Sequence, residues 1–401
     1  MLSLDFRLPK PKQERSPMPQ LSEQIQALKA SSTVAFNTKA KDLARTGVDV
    51  VAMTAGEPDF QPPGHVLEAA HEAIQMGLTK YTPAEGTREL REAVCAKFLR
   101  ENDLSYTPEQ ISVSTGGKQV LYNAFMSVLN PGDEVIVPAP YWVSYPAQVQ
   151  LAGGVTVPVM TRPDEGFVPS VEAVREAITN KTRVIVLNSP CNPTGAVYPP
   201  EVVRGIAELA AEHDLWLFSD DLYEHLVYEG TFTPAAQVAP EKTLIIHGAS
   251  KAYALTGWRI GYGAGPLPLI KAMNRLQGQV TSGANALAQH AVTVALNEVE
   301  KTHAFIEMTK KAYVERRDVL VEGLNEMGLK TPKPKGAFYV MTDVTPIDKD
   351  ELKAANLLLE QAHVGVVPGT DFLAEGQVRM SYATSLENIE KALERIKGLL
   401  D

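Results

Sequence analysis

The sequence predicts an α/β fold in two unequal domains: a large one with a mainly parallel sheet flanked by helices, and a smaller α+β domain. Three observations support this. From about residue 63 onward, segments of helical periodicity alternate with short β-branched runs, as in a parallel sheet covered by helices. Past residue 284 the chain changes to long helical runs that are followed by strands. Its 401 residues suffice for more than one hydrophobic core.

The two ends of the chain are predicted to form the smaller domain together, because chain termini often lie close to each other. We place this domain at 21–60 and 311–401, and the large domain at 61–310. Residues 1–20 contain two acids and four prolines and are predicted to be a disordered leader. Met18 stands directly before an amphipathic run, so translation that begins there is a hypothesis that mass spectrometry of the native N-terminus would test.

Periodicity and turn residues place the individual elements. Leu90, Val94 and Phe98 recur at helical spacing and predict a helix within 85–102. Ser170 is a candidate N-cap, and Pro199 with Pro200 fits the first turn of another helix. The further helices are predicted at 119–129, 141–153, 170–178, 199–213 and near the C-terminus up to Leu400. Strands are predicted at 111–113, 134–138, 183–188, 215–219, 243–247, 259–263, 337–342, 364–367 and 378–382.

Composition excludes several classes of protein. A formal net charge of −10 does not suit a nucleic-acid surface, which needs concentrated Lys and Arg, so small molecules or a second copy are the expected partners. Cys95 and Cys191 cannot form a disulfide framework and have no metal-ligand spacing, which predicts a cytoplasmic location and no metal site. No apolar run approaches the roughly 20 residues of a membrane helix.

Polar segments punctuate the predicted strand ends, which is where open α/β sheets bind ligands. Neither of two common nucleotide-binding loops fits them. Lys118 is followed by Gln119, unlike a Walker A loop, and 261–265 lacks the G-x-G-x-x-G spacing. The segments are Ser114-Thr115-Gly116-Gly117-Lys118, Asn188 to Gly195 with its Asn192-Pro193-Thr194-Gly195 turn, Ser219-Asp220-Asp221-Leu222-Tyr223, Ser250-Lys251 through Arg259, and Arg379-Met380-Ser381-Tyr382.

The order and spacing of these segments resemble those of the class I, fold type I, pyridoxal-phosphate-dependent aminotransferases, and in particular the bacterial-type aspartate aminotransferases. The resemblance covers nearly the whole chain after Met18. It implies the pyridoxal-phosphate-dependent transferase fold, pyridoxal 5'-phosphate as cofactor, and Lys251 as the Schiff-base lysine. The residues agree, because Lys251 follows the apolar strand 243–246 and is flanked by small residues, unlike a typical solvated surface lysine.

The resemblance also assigns residues to the cofactor. Asp220 would pair with the ring nitrogen, although a helix N-cap role is an alternative and the neighbouring Asp221 leaves the choice open. Tyr223 and Asn192 would contact the phenolic oxygen, and Asn192 alone could be a turn residue. Trp142 would cover the ring, or else be an ordinary core tryptophan. The phosphate would bind the backbone at a helix start together with a hydroxyl and cations; the residues are Gly116, Gly117, Lys118, Ser250, Arg259 and, from a neighbouring subunit of a homodimer, Tyr81.

For the substrate, the resemblance places Arg379 and the backbone of Gly56 on the α-carboxylate, with Trp142 and Asn192 beside it. Lys118 and Thr33 would bind a distal carboxylate, which predicts amino transfer from L-aspartate to 2-oxoglutarate. Phosphate neutralisation by Lys118 and a plain loop role for Thr33 stay open. Prephenate, aromatic or methionine transamination, a lyase-type reaction and a non-catalytic effector-binding domain are alternatives, the last disfavoured by the intact Lys251 and Asp220.

Two positions depart from the family pattern. Gly248 stands where members often have a serine three residues before the lysine, which removes one candidate phosphate hydroxyl. Cys191 replaces the first asparagine of the common N-N-P-T-G run, and we interpret it as a packing thiol.

Overall fold

The structure is a computed structural model, and it describes residues 20–28 and 31–401. The predicted leader therefore lies outside the described residues apart from Gln20, and so does the alternative start at Met18. Within the described ranges, no helix is long and apolar enough to cross a membrane.

The α-helices of the described residues follow one another along the whole chain, with short 3₁₀ turns between them. Ser170 caps α7 by accepting a hydrogen bond from the Ala173 backbone, as the sequence predicts. In chain order the helices are α1 (Glu23–Ala27), α2 (Ser32–Arg45), α3 (Gly64–Gln75), α4 (Arg88–Asn102), α5 (Gly117–Val128), α6 (Ser144–Leu151), α7 (Val171–Glu176), α8 (Pro200–Glu212), α9 (Leu267–Val280), α10 (Ala286–Asn297), α11 (Val299–Glu326), α12 (Glu351–Glu360) and α13 (Leu386–Leu400).

The strands form three sheets in the part of the chain that is described. The largest has seven strands in the order β2-β8-β7-β6-β5-β3-β4, and β8 alone runs opposite to the other six. In chain order the strands are β1 (Val51–Ala52), β2 (Ile111–Ser114), β3 (Glu134–Ala139), β4 (Val155–Met160), β5 (Thr182–Asn188), β6 (Trp216–Asp220), β7 (Thr243–Gly248), β8 (Gly261–Ala264), β9 (Tyr339–Asp343), β10 (Val364–Gly365), β11 (Val367–Pro368) and β12 (Gln377–Ser381).

Alternation along the central strands buries both faces of the large sheet. Val184 and Val186 of β5 join the core beneath α5 and α9, whereas Ile185 and Leu187 join the core that includes α8. Because successive side chains of a strand point to opposite faces, a continuous apolar run covers both. This confirms the predicted α/β class with its mainly parallel sheet.

Residues from the two ends of the chain share a separate core. Phe36 and Met53 lie in one buried cluster with residues of α11, β9, β12 and α13. β1 pairs in parallel with β10, and β9, β12 and β11 form an antiparallel sheet. The predicted boundaries at 60/61 and 310/311 stay predictions, and α11 continues through the second of them as one helix.

Strands β4 and β1 were not predicted from the sequence. β4 contains Pro158, which lacks a backbone donor, and it lies at the edge of the sheet, where a proline is tolerated. β1 has only two residues, too few for a periodic pattern.

Candidate active site

A cavity of about 260 Å³ lies at the carboxyl edge of the large sheet, against the chain ends. It brings together all the predicted site residues except two. Gly116 adjoins the cavity, and Tyr81 does not line it. Its lining also includes five residues that the sequence analysis did not select. The lining residues are Thr33, Gly56, Gly117, Lys118, Trp142, Tyr145, Asn188, Asn192, Asp220, Leu222, Tyr223, Ser250, Lys251, Thr256, Arg259, Tyr339 and Arg379.

Lys251 lies three residues after β7, in a turn that follows the strand end. Its Nζ donates a hydrogen bond to the Gly56 backbone oxygen at 2.5 Å, so the amine points across the cavity toward the N-terminal part of the chain. Burial lowers the pKa of Lys251 to about 8, against the opposing effect of Glu57. A sizeable fraction of this amine is therefore neutral near pH 8 and able to act as a nucleophile or base.

Asp220 is the last residue of β6 and only 4% exposed. It accepts a hydrogen bond from the Tyr145 hydroxyl at 2.7 Å and a longer one from the Leu222 backbone at 3.4 Å. Burial raises the pKa of Asp220 to about 6, and the Tyr145 hydrogen bond opposes that rise. Among the described residues the carboxylate forms no ion pair, and it suits a protonated ring nitrogen in the cavity.

The structure distinguishes Asp220 from Asp221. Asp221 accepts a hydrogen bond from the Ser219 hydroxyl at 2.6 Å and does not line the cavity. Burial raises the pKa of Asp221 to about 8, with the nearby charges of Glu224 and Asp220 adding to the effect. A turn rather than a long helix follows these residues, so the N-cap alternative for Asp220 loses its basis.

Two tyrosines meet on another wall. The hydroxyl oxygens of Tyr223 and Tyr339 are 2.8 Å apart, and both side chains are buried. Asn192 is held by its backbone, which donates to Asn188 Oδ1 at 2.9 Å. Its own Oδ1 accepts from Arg379 Nη1 at 3.0 Å, so Asn192 has a tertiary role beyond that of a turn residue.

The start of α5 forms a corner in which backbone packs on backbone. A Cβ at Gly116, where φ is +82°, would lie 2.6 Å from Arg259 Nη2, and one at Gly261 would lie 2.2 Å from the Gly117 nitrogen. Arg259 is oriented by a 2.8 Å hydrogen bond from Nη1 to the Thr256 oxygen. Free backbone N–H groups at a helix start beside a guanidinium form an anion site, so these residues fit a phosphate group.

Arg379 is 2% exposed and extends from β12 into the cavity. Its Nη2 donates to the Thr54 oxygen at 2.9 Å, and its guanidinium lies 4.6 Å from the centre of the Tyr339 ring. Among the described residues, its Nε has no hydrogen-bond partner. A guanidinium held in this way, with donor capacity left over, suits a carboxylate.

Lys118 and Trp142 lie together, with Lys118 Nζ 5.0 Å from the centre of the indole ring. Burial and the charge of Arg259 lower the pKa of Lys118. Thr33 belongs to the first turn of α2, whose Ser32 backbone donates to Asp371 Oδ2 at 2.8 Å. The Thr33 hydroxyl is buried without a partner in the described ranges.

Tyr81 lies away from the cavity and is 95% exposed.

The two departures from the family pattern have structural reasons. A Cβ at Gly248 would come within 2.8 Å of the Ile260 oxygen, so this backbone has no room for a serine. Cys191 is buried with its Sγ 3.7 Å from the Pro140 oxygen, as expected of a packing thiol.

The residues that sequence reasoning missed had weak local signals. Tyr145 follows Trp142 by three residues, a helical spacing that could have drawn attention to it. Tyr339 stands in an apolar strand, where nothing local separates it from core residues. The cavity position of Tyr339 depends on how the C-terminal sheet meets the large one.

A second charged cluster is buried beside α4. Lys97, which is fully buried, donates to Glu224 and to Asn102 Oδ1, the latter at 2.8 Å. His247 Nε2 lies 3.1 Å from the same Glu224 carboxylate, while its Nδ1 accepts from the Gly248 backbone at 2.7 Å. Nε2 therefore carries the proton, and the Lys97 ammonium already neutralises Glu224. We assign this cluster to structure rather than to metal binding, although His225 also lies near.

The fold and the pocket define an α/β enzyme with a lysine of lowered pKa in a cavity at the carboxyl edge of its sheet. The chain belongs to the aminotransferase class I and II family, whose model matches residues 48–396. That family implies pyridoxal phosphate as the cofactor.

Individual relatives agree. The chain is 57% identical over 380 residues to the aspartate/prephenate aminotransferase of Thermus thermophilus, covering 95% of this chain and 98% of that protein. It is 42% identical over 388 residues to the aspartate aminotransferase of a Bacillus species, covering 94% and 98%. The solved structure of the Thermus thermophilus aspartate aminotransferase with maleate superposes with a TM-score of 0.94, covering 96% of this chain and all of that one.

Proposed function

We propose that the protein is an aspartate aminotransferase, which moves the amino group of L-aspartate to 2-oxoglutarate and gives oxaloacetate and L-glutamate. The observation that carries the proposal is one cavity that holds Lys251, a buried carboxylate at Asp220 and two separate cations, Arg379 and Lys118. The names of the relatives support it, because each is described as acting on aspartate.

Pyridoxal phosphate, when bound, supplies an aldehyde that condenses with amines and a ring that accepts the electron pair of the substrate α-carbon. Asp220 would hold the ring nitrogen in its protonated form, and Tyr223 with Asn192 would hold the phenolic oxygen. Gly116, Gly117, Ser250 and Arg259 would hold the phosphate, and Trp142 would cover the ring.

Lys251 has two tasks in this proposal. Its neutral amine would hold the cofactor aldehyde and, once free, would carry a proton to and from the substrate α-carbon. The lowered pKa of Lys251 favours both tasks, because a desolvated amine gives up its proton readily near neutral pH.

The substrate is held by groups from distant parts of the chain. Arg379 would bind the α-carboxylate together with the Gly56 backbone, and Lys118 with Thr33 would bind the distal carboxylate. Two fixed cations select a dicarboxylate, because a monocarboxylic substrate would leave Lys118 without a partner.

A half-reaction panel tests the substrate. Holoenzyme is mixed with aspartate, glutamate, aromatic or aliphatic amino acids, and the rate of the spectral change is ranked. We expect aspartate and glutamate to react fastest. Colourless protein that stays inactive with added pyridoxal phosphate would overturn the proposal, and equal rates with leucine or methionine would remove Lys118 and Thr33 from their role.

A Lys118→Met variant sharpens that panel. Loss of one charge-assisted hydrogen bond of about 1.5–3 kcal/mol should lower kcat/KM for aspartate roughly 10- to 100-fold and leave aliphatic substrates nearly unchanged. The exposed Lys181→Met is the matched control. An equal loss for every substrate would instead place Lys118 on the phosphate.

Prephenate is a second candidate substrate, because it carries a side-chain carboxylate and the Thermus thermophilus relative is described as an aspartate/prephenate aminotransferase. The same panel tests it with prephenate as amino acceptor. A kcat/KM for prephenate well below that for oxaloacetate would restrict the protein to aspartate.

We also place the enzyme in the cytoplasm as a homodimer in which Tyr81 reaches the phosphate of the neighbouring site. Tyr81, which is 95% exposed, and the exposed Met76 line the same surface pocket, which supports a contact with a second copy. The free thiols of Cys95 and Cys191 support a reducing compartment. Sedimentation should give a dimer. Mixing Lys251→Ala with Tyr81→Ala chains should restore activity, because hybrid dimers contain one intact site.

A further inference from the structure

Tyr339 connects two parts of the cavity that the proposed function uses separately. Its ring packs on the Arg379 guanidinium at 4.6 Å, and its hydroxyl lies 2.8 Å from the Tyr223 hydroxyl. The same hydroxyl closes over Gly56, where a Cβ would meet it at 2.7 Å. Tyr339 therefore touches both proposed α-carboxylate groups and the residue assigned to the cofactor phenolic oxygen.

The direction of the tyrosine pair follows from proton counting. Burial raises the pKa of Tyr223 well above its usual value and also raises that of Tyr339, so both hydroxyls are protonated at neutral pH. Each hydroxyl has one proton to donate and lone pairs that accept. If Tyr223 donates toward the cavity, its oxygen must accept from Tyr339.

We propose that Tyr339 is a positioning residue, which donates to the Tyr223 oxygen and so keeps the Tyr223 proton directed at the cofactor phenolic oxygen. Because Tyr339 also packs on Arg379, we expect the binding of a carboxylate to Arg379 to alter the hydrogen bond between Tyr339 and Tyr223. This inference rests on the proposed roles of Tyr223 and Arg379.

The experiment uses holoenzyme of the wild type, Tyr339→Phe, Tyr223→Phe and the double variant. The main readout is the pH midpoint, which is the pH at which the visible absorption of the bound cofactor is halfway through its change. It is measured together with kcat, KM and cofactor affinity from equilibrium dialysis. A donor to the phenolic oxygen stabilises its negative charge and lowers the midpoint. Tyr339→Phe should therefore raise the midpoint by about 0.3–1 unit, as expected from the loss of a hydrogen bond worth about 0.5–1.5 kcal/mol.

Tyr262→Phe is the matched control, since Tyr262 is fully buried and its hydroxyl has no partner among the described residues. It should not move the midpoint. In the Tyr223→Phe background the further effect of Tyr339→Phe should vanish, because the hydroxyl acts through Tyr223. Maleate, as an inert dicarboxylate probe, should shift the midpoint less in Tyr339→Phe than in wild type.

The outcomes separate the inference from the proposed function. An unshifted midpoint in Tyr339→Phe, or an equal shift with and without the Tyr223 hydroxyl, overturns the positioning role. A lower thermal stability with an unchanged midpoint also overturns it, since packing alone would then explain Tyr339. Failure of Tyr223→Phe itself to move the midpoint would instead contradict the assignment of Tyr223.

Discussion

Lys97 and Lys251 are both withdrawn from solvent, yet their surroundings are opposite. The Lys97 ammonium contacts the Glu224 carboxylate and Asn102 Oδ1 and faces no cavity of the active site. In the part of the chain that the structure describes, Lys251 donates to a single backbone oxygen, that of Gly56, and otherwise borders the cavity. A buried charge whose partners are all in place is structural, whereas one short of partners beside a cavity is available for chemistry.

The carboxylates repeat the contrast. Against the effect of burial, the charge of Lys97 and the N–H donor of His247 hold the pKa of Glu224 well below its usual value. Asp220 has only neutral donors at hydrogen-bonding distance within the described ranges, and burial raises its pKa to about 6. Among the residues that the structure describes, Lys97 and Glu224 therefore have ionic partners in place, whereas Lys251 and Asp220 do not. The following substitutions test that difference.

The largest effect is expected for Lys251→Ala. Removing both the nucleophilic amine and the proton carrier should lower kcat by about 10⁴-fold or more. The thermal midpoint should not fall, because a desolvated amine is removed without leaving a charged partner. Steady-state assays of the holoenzyme and thermal unfolding of the apoprotein check this. Substantial residual turnover would mean that Lys251 belongs with Lys97 as a structural group.

Lys97→Met should do the reverse. It leaves Glu224 buried and unpaired, which should lower the free energy of unfolding by about 3–5 kcal/mol, while kcat of the folded enzyme changes little. Urea unfolding and an assay normalised to folded protein measure the two quantities. Adding Glu224→Gln should recover part of the stability. A fully folded Lys97→Met enzyme with a large loss of kcat would show that the Lys97 cluster contributes to catalysis.

Asp220→Asn should lower kcat by about 10²–10³-fold, the usual cost of one lost preorganised charge. A protonated carboxyl cannot pair with a protonated ring nitrogen, so wild-type cofactor affinity should fall as the pH drops through about 6. The asparagine variant should lack this additional pH dependence. Parallel curves for the two proteins, measured by equilibrium dialysis, would show that Asp220 does not hold the ring.

The smallest effect is expected for Tyr145→Phe. Loss of its hydrogen bond to Asp220, worth about 1 kcal/mol, should move the pH midpoint of cofactor affinity upward by less than about one unit. The direction follows because this donor stabilises the ionised carboxylate. A midpoint that moves down or stays in place would assign Tyr145 to packing alone.

The part of the cavity wall that the large sheet supplies was largely predictable, because its residues sit in short motifs at consecutive strand ends. Lys251 and Asp220 each follow an apolar run directly, and parallel strands bring such ends to one edge. The resemblance to a known family then supplied their roles. The choice between Asp220 and Asp221 needed the structure, since the turn decides which carboxylate faces the cavity.

The remainder depends on contacts between distant parts of the chain. Lys97 lies seven residues after Leu90, on the face that α4 buries, but only the packing of α4 against Glu224 gives its charge a partner. Tyr339 likewise acquires its neighbours from the meeting of β9 with the large sheet. Such long-range contacts cannot be inferred from the local sequence.

The corner between Gly261 and Gly117 has a consequence for how freely the sequence can vary. Gly261 belongs to β8 and has no proposed contact with cofactor or substrate, but any added carbon there would collide with backbone, which cannot rotate away as a side chain can. In a library of all single substitutions, this position should therefore be among the least tolerant in the molecule. Even alanine should be depleted there, whereas Gly257, which has open space around its α-carbon, should accept most replacements.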